Sequence, residues 1–140
     1  LDIEVIVDDD VKAVWADPNQ IVMEYHILLE NALAAMKGNG YIRISVSMAQ
    51  YPDRSFSDYL EIEVADTGPG INDKDIDKIF EPYFSNKEEG TGMGLAIAKK
   101  IIEDHGGFIE VHSKPKFGAV FCFSLPAMME EEQDGLMNNE

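Results

Sequence analysis

The chain of 140 residues contains one cysteine, Cys122, and this scarcity excludes two kinds of small protein. A single thiol cannot close a disulfide within the chain, and it cannot provide the several cysteines of a cysteine-based zinc site. Cys122 stands in the apolar run Val120-Phe121-Cys122-Phe123, which favours a buried position in a β-strand. We therefore expect a core without covalent bridges, in a reducing, cytoplasmic setting.

Long hydrophobic runs are also missing. No stretch of about 18 consecutive apolar residues occurs, so the sequence predicts no membrane-spanning helix. The start, Leu1 to Val5, lacks an initiator methionine and has neither the basic nor the apolar stretch of a signal peptide. With 45% hydrophobic residues the chain can bury one domain core, and we expect it to be part of a longer protein, membrane-bound or not.

Basic residues are few: 11 lysines and arginines stand against 27 aspartates and glutamates, for a net charge of −16. Such a charge repels phosphates at long range, so we expect no nucleic-acid partner. A phosphate site here must then depend on local groups: backbone N–H groups, a helix N-terminus, a lysine or a metal ion. Residues 127–140 hold five acidic residues and no basic ones, so we predict a domain over 1–126 and an acidic, disordered tail over 127–140.

The hydrophobic pattern alternates between strand and helix periods and predicts a sheet with helices on one face. Asp17-Pro18 marks the start of the longest helix, with aspartate at the N-cap and proline at the first helical position. The predicted strands are 3–7, 11–16, 41–49, 59–65, 108–113 and 119–125, and the predicted helices are 18–36, 73–80 and 92–105.

Two polar side chains, one within the first helix and one directly after a strand, stand at positions suited to binding a ligand. Asn31 lies at the edge of the apolar stripe of the first helix, where it either bonds a neighbouring loop or offers its side-chain oxygen to Mg²⁺. Asp66-Thr67-Gly68-Pro69-Gly70 directly follows a strand. It is either a simple turn or a site where the carboxylate accepts a hydrogen bond from an amine such as adenine N6, with glycines that let the backbone approach a flat ring.

Two further segments surround a polar loop. Phe80-Glu81-Pro82-Tyr83-Phe84 places three aromatic residues in five, either as a loop anchor or as the hinge of a mobile lid from which Lys87 reaches a phosphate. Gly90-Thr91-Gly92-Met93-Gly94-Leu95 opens a helix, and its exposed N–H groups form an anion site. It is not a P-loop, because no Lys-Ser/Thr pair follows, and not a dinucleotide motif, because it follows a loop.

In order, these four segments resemble the N, G1, F and G2 boxes of the ATP-binding domain of histidine kinases, a member of the Bergerat-type ATPase superfamily, over about residues 1–126. The resemblance, to the short-lid nitrogen-regulator type, implies a two-layer α/β sandwich with a mixed, mostly antiparallel sheet that binds ATP and Mg²⁺. It assigns Asn31 to Mg²⁺ and, with Lys87, to catalysis. The cofactor-binding residues that it implies are Asn31, Asp66, Gly68, Gly70, Ile71, Lys87, Gly90, Thr91, Gly92, Met93, Gly94 and Leu95.

One position departs from the family pattern. Ile27 stands four residues before Asn31, where members of the family carry a second Asn and related ATP hydrolases and Ser kinases carry a Glu. An isoleucine can be neither base nor ligand. His26 and Glu30 lie one turn apart and either compensate for it or form a solvated surface pair.

The resemblance implies a kinase that transfers the γ-phosphate of ATP to a histidine on a separate helical hairpin domain. Its further partners would be a response regulator and, in the full-length protein, a second copy in a homodimer. We expect the isolated chain not to phosphorylate itself. The alternative is a degenerate ATP sensor or scaffold module that no longer transfers phosphate.

Overall fold

The computed structural model describes residues 1–54, 58–84, 93–113 and 116–128. The elements, in chain order, are β1 (Asp2–Val7), α1 (Pro18–Ala35), β2 (Tyr41–Gln50), β3 (Asp58–Asp66), α2 (Asp73–Ile76), α3 (Gly94–Asp104), β4 (Phe108–Ser113) and β5 (Ala119–Pro126). Within the described ranges, the helices are all too short or too polar to traverse a bilayer.

The strands form one five-stranded sheet in the order β1-β2-β3-β5-β4. The β1–β2 pair is parallel and the other three pairs are antiparallel. The core lies between the sheet and the two longer helices: it contains Leu28 and Ala32 of α1, Ala98 and Ile102 of α3, and the inward residues of β3 and β5. The two-layer α/β sandwich with a mixed, mostly antiparallel sheet is therefore confirmed.

The start of α1 follows the predicted capping chemistry. Asp17 has an extended backbone and its side chain accepts a hydrogen bond from the N–H of Asn19, while Pro18 occupies the first turn. The N–H of Asp17 donates in turn to His105 Nε2 at the end of α3, at 3.1 Å. This bond links the N-terminus of α1 to the C-terminus of α3, so the two helices run antiparallel over the sheet.

Three segments differ from the prediction. Residues 11–16 form no strand, because only Val14 finds a partner, in an isolated bridge to Ala127. The second helix ends at Ile76 rather than at residue 80, since tight turns follow it. At the C-terminus, Ala127 and Met128 are buried, and the N–H of Met128 donates to the carbonyl of Ala13. The packed part of the chain thus extends two residues past the predicted domain end.

Candidate nucleotide-binding site

Asp66 is the last residue of β3 and one of the few buried carboxylates, with 8% of its surface exposed. Its side chain lies on the same face of the strand as Ile62 and Val64, which belong to the core beneath the helices. Its Oδ1 accepts hydrogen bonds from the N–H groups of Gly68, at 2.9 Å, and Ala119, at 3.3 Å. The carboxylate is therefore held in place at the end of the central strand, on the face of the sheet that the helices cover.

Gly118, the residue just before β5, allows the backbone to approach Asp66 at close range. Its φ is +78°, and a Cβ built there would lie 2.1 Å from the carbonyl oxygen of Asp66. No other residue fits this position without moving one of the two strands. Sequence reasoning did not assign Gly118 to the site, although its place at the end of a Lys-Pro-Lys-Phe-Gly turn was a usable signal.

Ser113 extends this arrangement to the predicted base-side loop. The N–H of Ile71 donates to Ser113 Oγ at 2.8 Å, and the Ser113 hydroxyl donates to the carbonyl of Gly118 at 2.6 Å. Ile71 also packs against the core, and Gly70 before it has a φ of +80°. The loop that follows Asp66 is thus tied to the end of the β4–β5 pair by a serine that sequence reasoning also missed.

Asn31 lies between the two predicted halves of the site. Gly68 lies against α1 at Ala35, where a Cβ on the glycine would be 3.4 Å from the alanine Cβ. Gly94, the first residue of α3, lies against α1 at Ile27, where its Cβ would be 3.5 Å from Cγ2. Residues 27, 31 and 35 are successive turns of one helix face, so the partly buried Asn31 separates the base-side loop from the N-terminus of α3.

The N-terminus of α3 has the geometry expected of an anion site. Met93 is its N-cap residue, and no side chain caps the helix among the described residues. The N–H groups of the first turn, which begins with Gly94 and Leu95, therefore have no partner within the helix. Lys87, Gly90, Thr91 and Gly92, and most of the predicted lid, lie outside the described residues.

Ile27 lies against Gly94, at the position where the family pattern has a second Asn. His26 Nε2 and Glu30 Oε1 are 3.1 Å apart, but their side chains are 69% and 68% exposed. They form the solvated surface pair, which was one of the two alternatives raised from the sequence. Their position on the outer side of α1 does not favour compensation.

Glu24 is a buried group that sequence reasoning missed. It lies in the apolar stripe of α1 between Ile21 and Leu28, is fully buried, and neither carboxyl oxygen has a hydrogen-bond partner among the described residues. Burial raises the pKa of Glu24 from 4.5 to about 8, because the apolar surroundings disfavour the charged form. With a pKa of about 8, the protonated, neutral form of this carboxyl group predominates at pH 7.

Comparison with known proteins gives the site its context. Residues 16–129 match the family of histidine kinase-, DNA gyrase B- and HSP90-like ATPases. The chain belongs to this family. It is an ATP-binding catalytic domain of the type found in sensor histidine kinases, as its relatives show. The histidine kinase resemblance drawn from the four sequence segments is thus confirmed.

Among curated relatives, sporulation kinase E of Bacillus subtilis is 32% identical over 89% of this chain and 16% of its own length. The sensory histidine kinase/phosphatase NtrB of Rhodobacter capsulatus is 37% identical over 89% of this chain, which spans 36% of that protein. Sensor protein FixL of Bradyrhizobium diazoefficiens is 38% identical over 88% of this chain and 24% of its own length. This chain therefore spans about a third or less of these relatives.

Solved structures agree with the fold. The nucleotide-free catalytic domain of histidine kinase ThkA superposes with a TM-score of 0.74 and 35% identity, over 90% of this chain and 78% of that one. Full-length ShkA, solved in complex with AMPPNP, gives a TM-score of 0.74 and 26% identity, over 91% of this chain and 26% of that one. The five-stranded sheet and its helix layer are those of histidine kinase catalytic domains.

Proposed function

We propose that this domain binds ATP with Mg²⁺ and presents the γ-phosphate to a histidine on a separate helical hairpin domain of the same kinase. The observation that carries the proposal is the arrangement along α1. One helix face lies against Gly68 at Ala35 and against Gly94 at Ile27, with no room for more than a small side chain at either glycine, and Asn31 lies between them. A ligand with a flat base at one end and phosphates at the other fits these two ends.

Asp66 is the residue that we propose binds the adenine base. A carboxylate that already accepts two backbone N–H groups is fixed in orientation, so it can accept a further hydrogen bond from the exocyclic amine at little entropic cost. Gly68, Gly70 and Ile71 would form the walls around the ring. This chemistry distinguishes adenine, which has an amine donor, from guanine, which has a carbonyl at the corresponding position.

The phosphate end combines the first turn of α3 with Asn31. The uncapped N–H groups at Met93, Gly94 and Leu95 suit an anion, and the Asn31 side-chain oxygen suits a hard cation such as Mg²⁺. Because the chain carries a net charge of −16, a metal ion would offset the repulsion of the triphosphate. Lys87, Gly90, Thr91 and Gly92 are assigned to the same end on their sequence pattern alone.

The nucleophile would come from outside this chain. Of the three histidines, His26 pairs with Glu30 on the surface, and both ring nitrogens of His105 are engaged by Asp17 and Ile101. His112 points to the sheet face opposite the helices, since it pairs in register with Val120. A response regulator, a homodimeric whole protein and a cytoplasmic location remain proposals from the family resemblance.

Calorimetry and phosphotransfer together test the proposal. The chain should bind ATP in the presence of Mg²⁺, and Asp66→Asn should weaken binding about 10- to 150-fold, the equivalent of about 1.5–3 kcal/mol for a hydrogen bond to a charged group. Asp104→Asn, an exposed carboxylate at the far end of α3, is the control and should leave affinity unchanged. Unchanged affinity in Asp66→Asn would remove the adenine role.

Radiolabelled ATP should leave the isolated chain unlabelled and should label a histidine on the kinase's own helical hairpin added in trans, because transfer requires an in-line nucleophile. The second candidate function is an ATP sensor that no longer transfers phosphate. Ile27 is the observation that favours it, since an apolar side chain lies against the N-terminus of α3 where the family pattern has an Asn. Tight ATP binding without transfer to the hairpin would decide for the sensor. Labelling of the isolated chain would refute the proposed origin of the nucleophile.

A further inference from the structure

The sheet face opposite the helices carries a cluster of acidic side chains around the one cysteine. In the register of β3 and β5, Glu63 pairs with Cys122 and Glu61 pairs with Ser124. On the other side of β5, Glu110 of β4 also pairs with Cys122. Side chains that are paired in register lie on the same face, so three carboxylates and a thiol lie together on the face opposite the helices.

The possible ligand atoms of this cluster lie close to one another. One ligand atom each from Glu61, Glu63 and Cys122 lies within 4.8 Å of the other two. The Cys122 thiol, only 4% exposed, donates to Glu61 Oε1 at 2.8 Å. Among the described residues, neither Glu61 nor Glu63 forms an ion pair with a lysine or arginine, so their charges are not offset by the protein.

Ser124 is a second and independent observation at the same place. It is fully buried, and its Oγ has no hydrogen-bond partner among the described residues. The Tyr51 hydroxyl lies near both Ser124 and Glu61, at the edge of the cluster. Ser124 stands opposite Glu61 and two residues from Cys122 on β5, so its side chain lies on the same face as the cluster and next to it. A buried hydroxyl without a partner is unfavourable, and a bound water would satisfy it.

We propose that Glu61, Glu63 and Cys122 bind a divalent cation of the Zn²⁺ class, with a water held by Ser124 as the fourth ligand. Sulfur together with carboxylate oxygen suits a borderline-soft ion and not a hard ion such as Mg²⁺. The thiol proton would pass to solvent as the metal–sulfur bond forms. Tetrahedral bonds of about 2.0–2.3 Å place ligand atoms about 3.5 Å apart, so small side-chain rotations complete the site.

The site is separate from the proposed nucleotide site. Glu61 and Glu63 point away from the helices, whereas Asp66 on the same strand points toward them. The ion would join β3 to β5 across the middle of the sheet. It would therefore stabilise the domain whether or not ATP is bound, and the two proposals can fail independently.

Cobalt absorption offers a direct test, because the chain has one cysteine and any thiolate–Co²⁺ charge-transfer band must come from Cys122. The reduced protein, free of nucleotide, is titrated with Co²⁺ and then with Zn²⁺. We expect a near-ultraviolet band that saturates at one equivalent and disappears when Zn²⁺ displaces Co²⁺, and we expect Zn²⁺ to raise the melting temperature.

Variants separate this site from other metal contacts. Glu61→Gln and Glu63→Gln, at partly exposed positions, should each weaken Co²⁺ binding tenfold or more, and Cys122→Ser should abolish the band. Glu103→Gln, on the exposed side of α3, and His26→Ala, in the surface His–Glu pair, should leave it unchanged. No band with the folded wild-type protein, or a band equally strong in both glutamine variants, would overturn the proposal.

Discussion

The buried Glu24 carboxyl should make the stability of this domain fall as pH rises. Its pKa is about 8 in the folded protein against 4.5 for the exposed group, so between these values the folded state holds a proton that the unfolded state has lost. Stability then decreases with increasing pH, at a limiting slope of about 1.4 kcal/mol per pH unit. The contribution is fully present below pH 4.5 and lost by pH 8, in total about 5 kcal/mol as an order of magnitude.

Glu24→Gln isolates this effect, because glutamine keeps the size of the side chain and cannot ionise. The free energy of unfolding is measured from urea midpoints between pH 5 and pH 8.5 for both proteins. The difference between the two curves removes the contributions of the many other carboxylates. We expect the wild type to lose stability relative to the variant as pH rises, with the change levelling off near pH 8. Parallel curves would show that Glu24 is solvated or paired, and would refute the reasoning.

Three other predictions follow from single contacts. Gly118→Ala should destabilise the domain by several kcal/mol in thermal melts and weaken ATP binding, because its Cβ would lie 2.1 Å from the Asp66 carbonyl oxygen. Gly38→Ala is the control: Gly38 has the same φ of +78° but open space around it, so this variant should lose only about 1 kcal/mol of stability. His105→Ala should lower the free energy of unfolding by about 1–2 kcal/mol, because it removes bonds to Asp17 and to the Ile101 carbonyl; no change would show that these bonds exchange with water at no cost. Lys87→Ala should weaken ATP binding more than ADP binding in calorimetry, and an equal loss for both would contradict contact with the γ-phosphate.

Interactions between neighbouring residues allowed most helices and strands to be predicted from the sequence. Pairing between distant strands could not be predicted in this way. The start of α1 followed from Asp17-Pro18, because a cap and a proline act on neighbouring residues. Residues 11–16 have the composition of a strand, yet a strand needs a neighbour, and only Val14 finds one, 113 positions along the chain at Ala127. The same applies to the order of the sheet, in which β5 lies between β3 and β4.

The site divides in the same way. Asn31 and Asp66 were predicted from short motifs, whose spacing is visible in the sequence. The contacts of Asp66 with Ala119 and Gly118 join segments more than 50 residues apart, so no short sequence motif could predict them. Glu24 was missed for another reason: a glutamate inside an apolar stripe is commonly solvated at the edge of a helix, and only the packed structure shows it fully buried.

The spacing of contacts along α1 has a consequence for which ligands this domain can distinguish. Ile27 and Ala35 are eight residues apart, which corresponds to about 12 Å of helix, and they touch the two opposite ends of the proposed site. A packed helix does not shorten, so the distance between the two ends of the proposed site is fixed, and only a ligand of matching length can contact both ends. In the proposed binding mode, a nucleoside would engage one end alone, and each added phosphate would bring the molecule nearer to the other. Discrimination between ATP and ADP would then depend on the length of the phosphate chain, because the contacts with the base would be the same for both.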